Sequence, residues 1–448
     1  MIFRYPGYLA LGFCISLSAP AEPSSKAPLL IRGVTVIDCV RDAPRSGMSV
    51  LIADGRIAAI GPASELKAAA NAEVLDAHGK YLIPGLWNMH VHLGGYASAK
   101  RDLSEYLAIG VTGLRDMASP LDDILRLRKE VDDGTIVGPH LVVAGPMIQG
   151  PLPFQMSLFI SVKDPAEARQ TVQMLKARGV DFIKVQDAIP HDIYVAVAEE
   201  AARQHLRFVG HIPPTVLPEE AVALGQRSVE HLGGHFWGVL IGASTRESEL
   251  HEQEVQMYRD ALTALEHKEE PSNSNMRAAF TRAIVESYDP RKAAALIARF
   301  KKSDTWQCPT LVVLRTLWSG GEYTPEDLSW AGRLRAKNED LVLMMQEAGV
   351  GLLAGTDLPP NAKNGTIHDE LAAMVTAGLS PIQALKTATR NPAEFLGKLA
   401  SFGTIEQGKF ADLVILAANP LTDIRNTAKI SAVILQGRVV SRQTDARP

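Results

Sequence analysis

His90 and His92 stand two residues apart in the apolar run LWNMHVHL. In an extended strand such residues share a face, so both imidazoles point the same way, either as two ligands of one cation or as a pair of buried, hydrogen-bonded histidines. His211 in FVGHI and His231 in SVEHL each end an apolar run, and their spacing of 20 residues is that of one strand-helix repeat. Asp357 closes GLLAGTD, where capping a following helix is the simplest role. Each residue alone has an ordinary structural use. Together, four histidines and an aspartate at the ends of strand candidates point to a metal centre of imidazole and carboxylate. Lys184 in VDFIKVQ is a cation in a buried strand, where a bare charge is costly. It either pairs with a carboxylate or, as a neutral amine, takes up carbon dioxide and becomes an anionic ligand bridging two metals.

Composition narrows what such a centre serves. The chain has 448 residues, about three times the ~150 of a typical domain, and an α/β barrel alone takes roughly 250. One large domain with a smaller companion is the simplest organisation. Hydrophobic residues are 46% and charged residues 21%, ample for a core. Lys plus Arg number 46 and Asp plus Glu 50, so the net charge of −4 supplies no basic field for a phosphate backbone, which excludes nucleic acid as a partner. The cysteines Cys14, Cys39 and Cys308 lack the close pairs of a thiolate site. Residues 1–21 read as a secretory signal: Arg4, an apolar run from Tyr8 to Leu17, and the small-x-small end Ala19-Pro20-Ala21. That run is about half of the ~20 residues a membrane span needs. The expectation is a periplasmic or secreted protein with no membrane attachment once the signal is removed, in which a Cys39–Cys308 disulfide is permitted but not required.

The elements that must position these residues follow from periodicity. Leu29 to Leu82 alternates as strands, with a hairpin signal at Asp54-Gly55, and a matching set at the other end, GTIEQGKFADLVIL and ISAVILQGRVVS, turns at Gln436-Gly437. Neither set closes a core alone, so residues 22–83 and 401–443 are expected to form one small discontinuous β-sandwich. Between them, over residues 84–400, eight apolar runs alternate with helical patterns: LWNMHVHL, VTGLRDM, HLVVAG, DFIKVQ, FVGHI, SVEHL, QCPTLVV and GLLAGTDL. This predicts an α/β domain with a parallel sheet, closed as a (β/α)8 TIM-like barrel or open and doubly wound, with its chemistry at the carboxyl ends of the strands.

PGLWNMHVHL, FIKV, VGHI, VEHL and AGTD, followed by ALKTATRNPAEFLG and GTIEQGKFADLVIL, resemble the amidohydrolase superfamily over nearly the whole chain after the signal, most of all its imidazolonepropionase-like and prolidase-like branch. The resemblance implies a distorted (β/α)8 barrel, a flanking β-sandwich and a centre of two divalent ions, zinc by preference. By motif position His90 and His92 would serve the buried metal, carboxylated Lys184 would bridge, His211 and His231 would serve the exposed one, and Asp357 would complete the set. It further implies hydrolysis of an amide or peptide bond, of a dipeptide or N-acyl amino acid, by metal-activated hydroxide. Asp357 would act as general base and then acid, and His231 would help orient the carbonyl. Related sequences carry Gly-Gly-His after the third strand; here the stretch is GPMIQGPLPFQ, so contacts from that loop do not transfer. Mononuclear deaminases of the superfamily carry a Glu three residues past the fifth-strand histidine, where this chain has Pro214, so amide hydrolysis is favoured over deamination, with lactone or ester hydrolysis the other alternative. A non-catalytic, metal-stabilised binding protein is the reading from another class.

Beyond the ligands, His235, Phe236, Trp237, Arg315, Trp318 and His368 follow strands six to eight and are candidates to line the substrate pocket, with Arg315 taking a carboxylate. Residues 238–305 form a helical insertion between strands six and seven, about twice the length a crossover needs. It is expected to cap the pocket of a small-molecule substrate, or else to be a solvated appendage or the contact of a homo-oligomer.

Overall fold

The computed structural model describes residues 27–442, apart from residue 69 and residues 153–154, 268–273 and 317–322. The signal segment 1–21, Cys14 and Trp318 lie outside the described residues. The first strands are β1 (Leu29–Val36), β2 (Arg45–Ala53), β3 (Arg56–Pro62), β4 (Glu73–Asp76) and β5 (Tyr81–Pro84). They are followed by β6 (Leu86–Val91), β7 (Val111–Asp116), β8 (His140–Val143), β9 (Met147–Gln149), β10 (Phe159–Ser161), β11 (Phe182–Val185), β12 (Arg207–Gly210), β13 (Ser228–Glu230) and β14 (Trp306–Cys308). The chain ends with β15 (Leu413–Leu416), β16 (Ile430–Leu435) and β17 (Arg438–Arg442).

Strands from both ends of the chain share one sheet, in the order β17-β16-β15-β5-β1-β2-β3 with β4 beside β1. Asp54 and Gly55, and likewise Gln436 and Gly437, all adopt positive φ, the geometry of tight hairpin turns. Bulges in β1, β2, β15 and β16 bend the sheet. The Arg56–Phe410 bridge then brings the β2–β3 hairpin against the chain leading into β15. Ile31, Val50, Ile57, Leu82, Leu413 and Ile434 fill the core of this β-rich domain.

The central segment is a parallel barrel. β6, β7 and β8 are hydrogen-bonded in order, as are β11, β12, β13 and β14. Asp181 donates its N–H to Val143 O at 2.9 Å to join the two groups. Met89 N–H to Ala354 O at 2.8 Å closes the ring through the eighth run. That run is a single bridge, Gln307 to Leu352, because its glycines are spacers: a Cβ on Gly351 would stand 2.1 Å from the Trp306 ring, and one on Gly355 would stand 2.6 Å from Cys308 Sγ. Inside the barrel pack Trp87, Met89, Phe182, Val209, Trp306 and Phe395.

Two sequence expectations shift. QCPTLVV is not one strand: β14 stops at Cys308, and Leu311–Thr316 is a short helix. The stretch after β8 holds an extra pair, β9 and β10, which extends the sheet beside β11. The insertion contains helices Gly238–Gly242, Glu247–His267, Ser274–Ser287 and Pro290–Lys302, the last burying Leu296, Ile297 and Phe300 as their spacing predicts. Cys39 and Cys308 are both buried free thiols. Among the described residues no helix is long and apolar enough to cross a membrane.

Candidate active site

Strand ends bring the expected ligands together. His90 is the penultimate residue of β6 with His92 just beyond the strand, His211 and His231 follow β12 and β13, and Asp357 lies at the end of the eighth run. Asp357 Oδ1 lies 3.2 Å from His92 Nε2 and 3.6 Å from His90 Nε2, and Oδ2 lies 3.7 Å from His231 Nε2. The His231 ring stands 4.6 Å from that of His90 and 4.9 Å from that of His211. His231 and Asp357 both take positive φ, 54° and 52°, the kind of backbone strain that collects at functional sites. Lys184, 1% exposed, sits close enough for its charge to act on His90, His211 and His231. Among the described residues it has no ion pair, and burial holds its ammonium pKa below the usual lysine value.

What orients the four rings is a partner at each Nδ1. His90 Nδ1 meets Glu230 Oε2 at 2.8 Å, His92 Nδ1 the Ala118 carbonyl at 3.3 Å, His211 Nδ1 Asp187 Oδ1 at 2.8 Å, and His231 Nδ1 Thr310 Oγ1 at 2.6 Å. A carbonyl or carboxylate only accepts, so at His90, His92 and His211 the proton is on Nδ1 and the Nε2 lone pair is free. This is the outer-shell arrangement of metal-bound histidines. Burial keeps three of the rings neutral, lowering His90 to about 4 and also depressing His211 and His231. Burial works against the charge of Glu230, yet Arg115 and the Nδ1–H of His90 hold it well below the usual carboxylate range. The donor set suits a divalent cation: His90 Nε2 is buried without a hydrogen-bond partner, and ligand atoms of His90, His231 and Asp357 all lie within 4.8 Å of one another.

The outer candidates divide. His235 is half exposed, with Nδ1 3.7 Å from Asp187 Oδ2, and its ring lies 6.0 Å from that of Trp237. Both therefore stand at the rim beside His211. Phe236 is buried 5.7 Å from the His231 ring. Arg315, carried by the helix that replaces the end of strand seven, turns to Glu339 at 3.6 Å. His368 is buried with Nδ1 3.0 Å from Thr427 Oγ1, and its ring faces the Ile109 backbone carbonyl just before β7 begins. That is the opposite end of the barrel from the ligands, so neither Arg315 nor His368 joins the cluster. Residues without a sequence assignment do: Glu230, Arg115, Asp187 and Thr310. On the insertion helix Glu247–His267, Leu250 is fully buried and Glu247 pairs with Lys292 at 2.5 Å. One turn further, Glu254 and Tyr258 share a face, and burial together with the charge of Asp187 pushes them up to about 8 and about 12.

A sequence profile of the Amidohydrolase family matches residues 81–440. The chain belongs to this family. Residues 50–70 of this amidohydrolase also match the bacterial imidazolonepropionase-like composite domain. Ochratoxinase of Aspergillus niger is 23% identical over 93% of this chain and 89% of its own length. A putative prolidase from Bifidobacterium longum superposes with a TM-score of 0.71 at 25% identity, covering 94% of this chain and 96% of its own. A Xaa-Pro dipeptidase with bound methionine gives 0.69 at 20% identity, covering 93% and 100%. Enzymes of the family use divalent metals, with which the donor set here agrees.

Thr310, which orients His231, is held in turn by Glu370, whose carboxylate accepts the N–H groups of Leu311 and Val312 at 3.0 and 2.9 Å. Burial pushes Glu370 up to about 7. A carboxyl raised in the folded state binds its proton more tightly there than in the unfolded chain. Its stabilisation is therefore complete below the unfolded value near 4.5 and is lost as pH rises through about 7, on the order of 3 kcal/mol. Glu370→Gln removes that slope. In urea titrations of the metal-free protein, the variant is expected to be less stable than wild type at pH 5 and to close the gap by pH 8; a constant gap would exclude titration of Glu370.

Proposed function

We propose that this amidohydrolase cleaves an amide or peptide bond of a small substrate, a dipeptide or an N-acyl amino acid, at a centre of two divalent ions, zinc by preference. The observation that carries this reading is the Nδ1 anchoring of His90, His92, His211 and His231, with the Nε2 atoms of His90, His92 and His231 converging on Asp357 and the His211 ring 4.9 Å from that of His231. His90, His92 and Asp357 would hold one ion, His211 and His231 the other, and carboxylated Lys184 would bridge them. A buried lysine amine shifted toward neutrality is the form that reacts with carbon dioxide. When bound, the ions supply Lewis acidity to the scissile carbonyl and acidify a water.

The chain's own residues then move the proton. A carboxylate oxygen of Asp357 takes it from the attacking water and returns it to the leaving nitrogen as the C–N bond breaks, while His231 helps orient the carbonyl. The names of the similar proteins, a prolidase, a Xaa-Pro dipeptidase and an ochratoxinase, support amide and dipeptide substrates. The insertion helix would cap the pocket, with Glu254 and Tyr258 facing the Asp187 side. Export through the signal segment 1–21 is part of the same proposal.

The direct test is turnover on a panel of dipeptides, N-acyl amino acids, aryl esters and lactones. Amides are expected to be the best substrates, and Asp357→Asn to lower kcat by roughly 10²- to 10⁴-fold at unchanged metal content. Preference for esters, or near-normal kcat in a fully metallated Asp357→Asn protein, would overturn the assignment. Lys184→Ala is expected to lose metal and rate together and to regain part of both with added short carboxylic acids. A wild-type protein with one tight metal and an unmodified Lys184 would contradict the bridge. Replacing residues 249–275 by a short Gly/Ser linker is expected to raise KM or broaden substrate range at constant metal content; unchanged kinetics with an altered oligomeric state would make the insertion a subunit contact instead.

A further inference from the structure

Beneath the ligands, among the apolar side chains inside the barrel, lies a charged pair. Arg115, the penultimate residue of β7, is fully buried. Its guanidinium makes a fork to Glu230, with Nη2 2.9 Å from Oε1 and 2.8 Å from Oε2. Nη1 donates to Ser228 Oγ at 2.9 Å, and Ser228 donates on to Glu230 Oε1 at 2.5 Å. Nε donates to the Met89 carbonyl at 2.5 Å. The rings of Phe182 and Phe395 flank the group at 5.9 and 5.4 Å.

Desolvating such a pair is costly, and apolar side chains of similar volume would fill the same space without that cost. What the pair supplies is visible in what it touches. The β6–β7 ladder breaks between Asn88 and Val91, so the backbone that carries His90 lacks regular pairing on its β7 side, while its other side bonds to Ala354 and Asp357. Arg115 Nε takes hold of that backbone at Met89, and its fork fixes Glu230 so that Oε2 faces His90 Nδ1. The same side chain therefore holds His90 at two points, its main chain and its ring.

Resting on the metal-centre reading above, we propose that Arg115 is a positioning residue that keeps His90 Nε2 presented to the cleft, through Met89 and Glu230, and so sets metal affinity from inside the barrel.

The test uses Arg115→Ala in the full chain, with zinc affinity of the metal-free protein measured by chelator competition. Loss of an outer-shell partner typically weakens metal binding by about 10- to 100-fold, and that loss is expected here. The hole left between Phe182 and Phe395 has the shape of a guanidinium ion, so tens of millimolar guanidinium is expected to restore most of the affinity, whereas urea, of the same shape but neutral, is not. In long-range ¹⁵N spectra, which need no metal, His90 is expected to be a single Nδ1–H tautomer in wild type and a mixture in the variant. Should the alanine variant not fold, Arg115→Lys keeps the charge but not the fork and is expected to show the same loss and the same tautomer mixture.

A folded variant within twofold of wild-type affinity, or a loss that guanidinium does not repair, overturns the proposal while leaving the metal centre standing. A wild-type protein that binds no divalent ion overturns both.

Discussion

A histidine can offer a cation only one nitrogen at a time, and the arrangement of this barrel follows from deciding which. Each of the four imidazoles has its Nδ1 occupied by a fixed group, and the Nε2 atoms of His90, His92 and His231 look inward toward Asp357. The fixing groups come from different strand ends: Glu230 from β13 holds His90 from β6, and Thr310 from beyond β14 holds His231. Those pairs meet only if the barrel closes, and closure depends on the glycines of the eighth run giving way to Trp306, Cys308 and His90. Ring orientation and fold closure are therefore one constraint.

Burial serves this constraint and threatens it. It keeps His90, His211 and His231 neutral, which ligation requires, and lowers the pKa of Lys184 toward the neutral amine. It would equally discharge Glu230, which stays ionised because Arg115 and the His90 Nδ1–H stand against it.

The six candidate ligands were legible in the sequence because polar residues ending apolar runs stand out, and in a barrel those ends share one rim. The outer partners were not, because their role arises from contacts across the barrel: Glu230 and His90 are 140 residues apart. Arg115 carried the same signal as Lys184, a charge in a buried strand, and that signal called for a partner. Arg315 and His368 were misplaced for a different reason. Extending strand seven through Val313 put Arg315 on the rim, whereas the helix beginning at Leu311 turns it to Glu339. The β-rich domain was legible because its hairpin turns are spelled out, while β9 and β10 are three-residue strands without periodicity.

The most direct test is anomalous diffraction at the zinc edge from crystals of the protein as purified. Two peaks are expected, one against His90 and His92 and one against His211 and His231, with density for a carbamate on Lys184 between them. A single peak with bare Lys184, or none among these side chains, would contradict the binuclear centre.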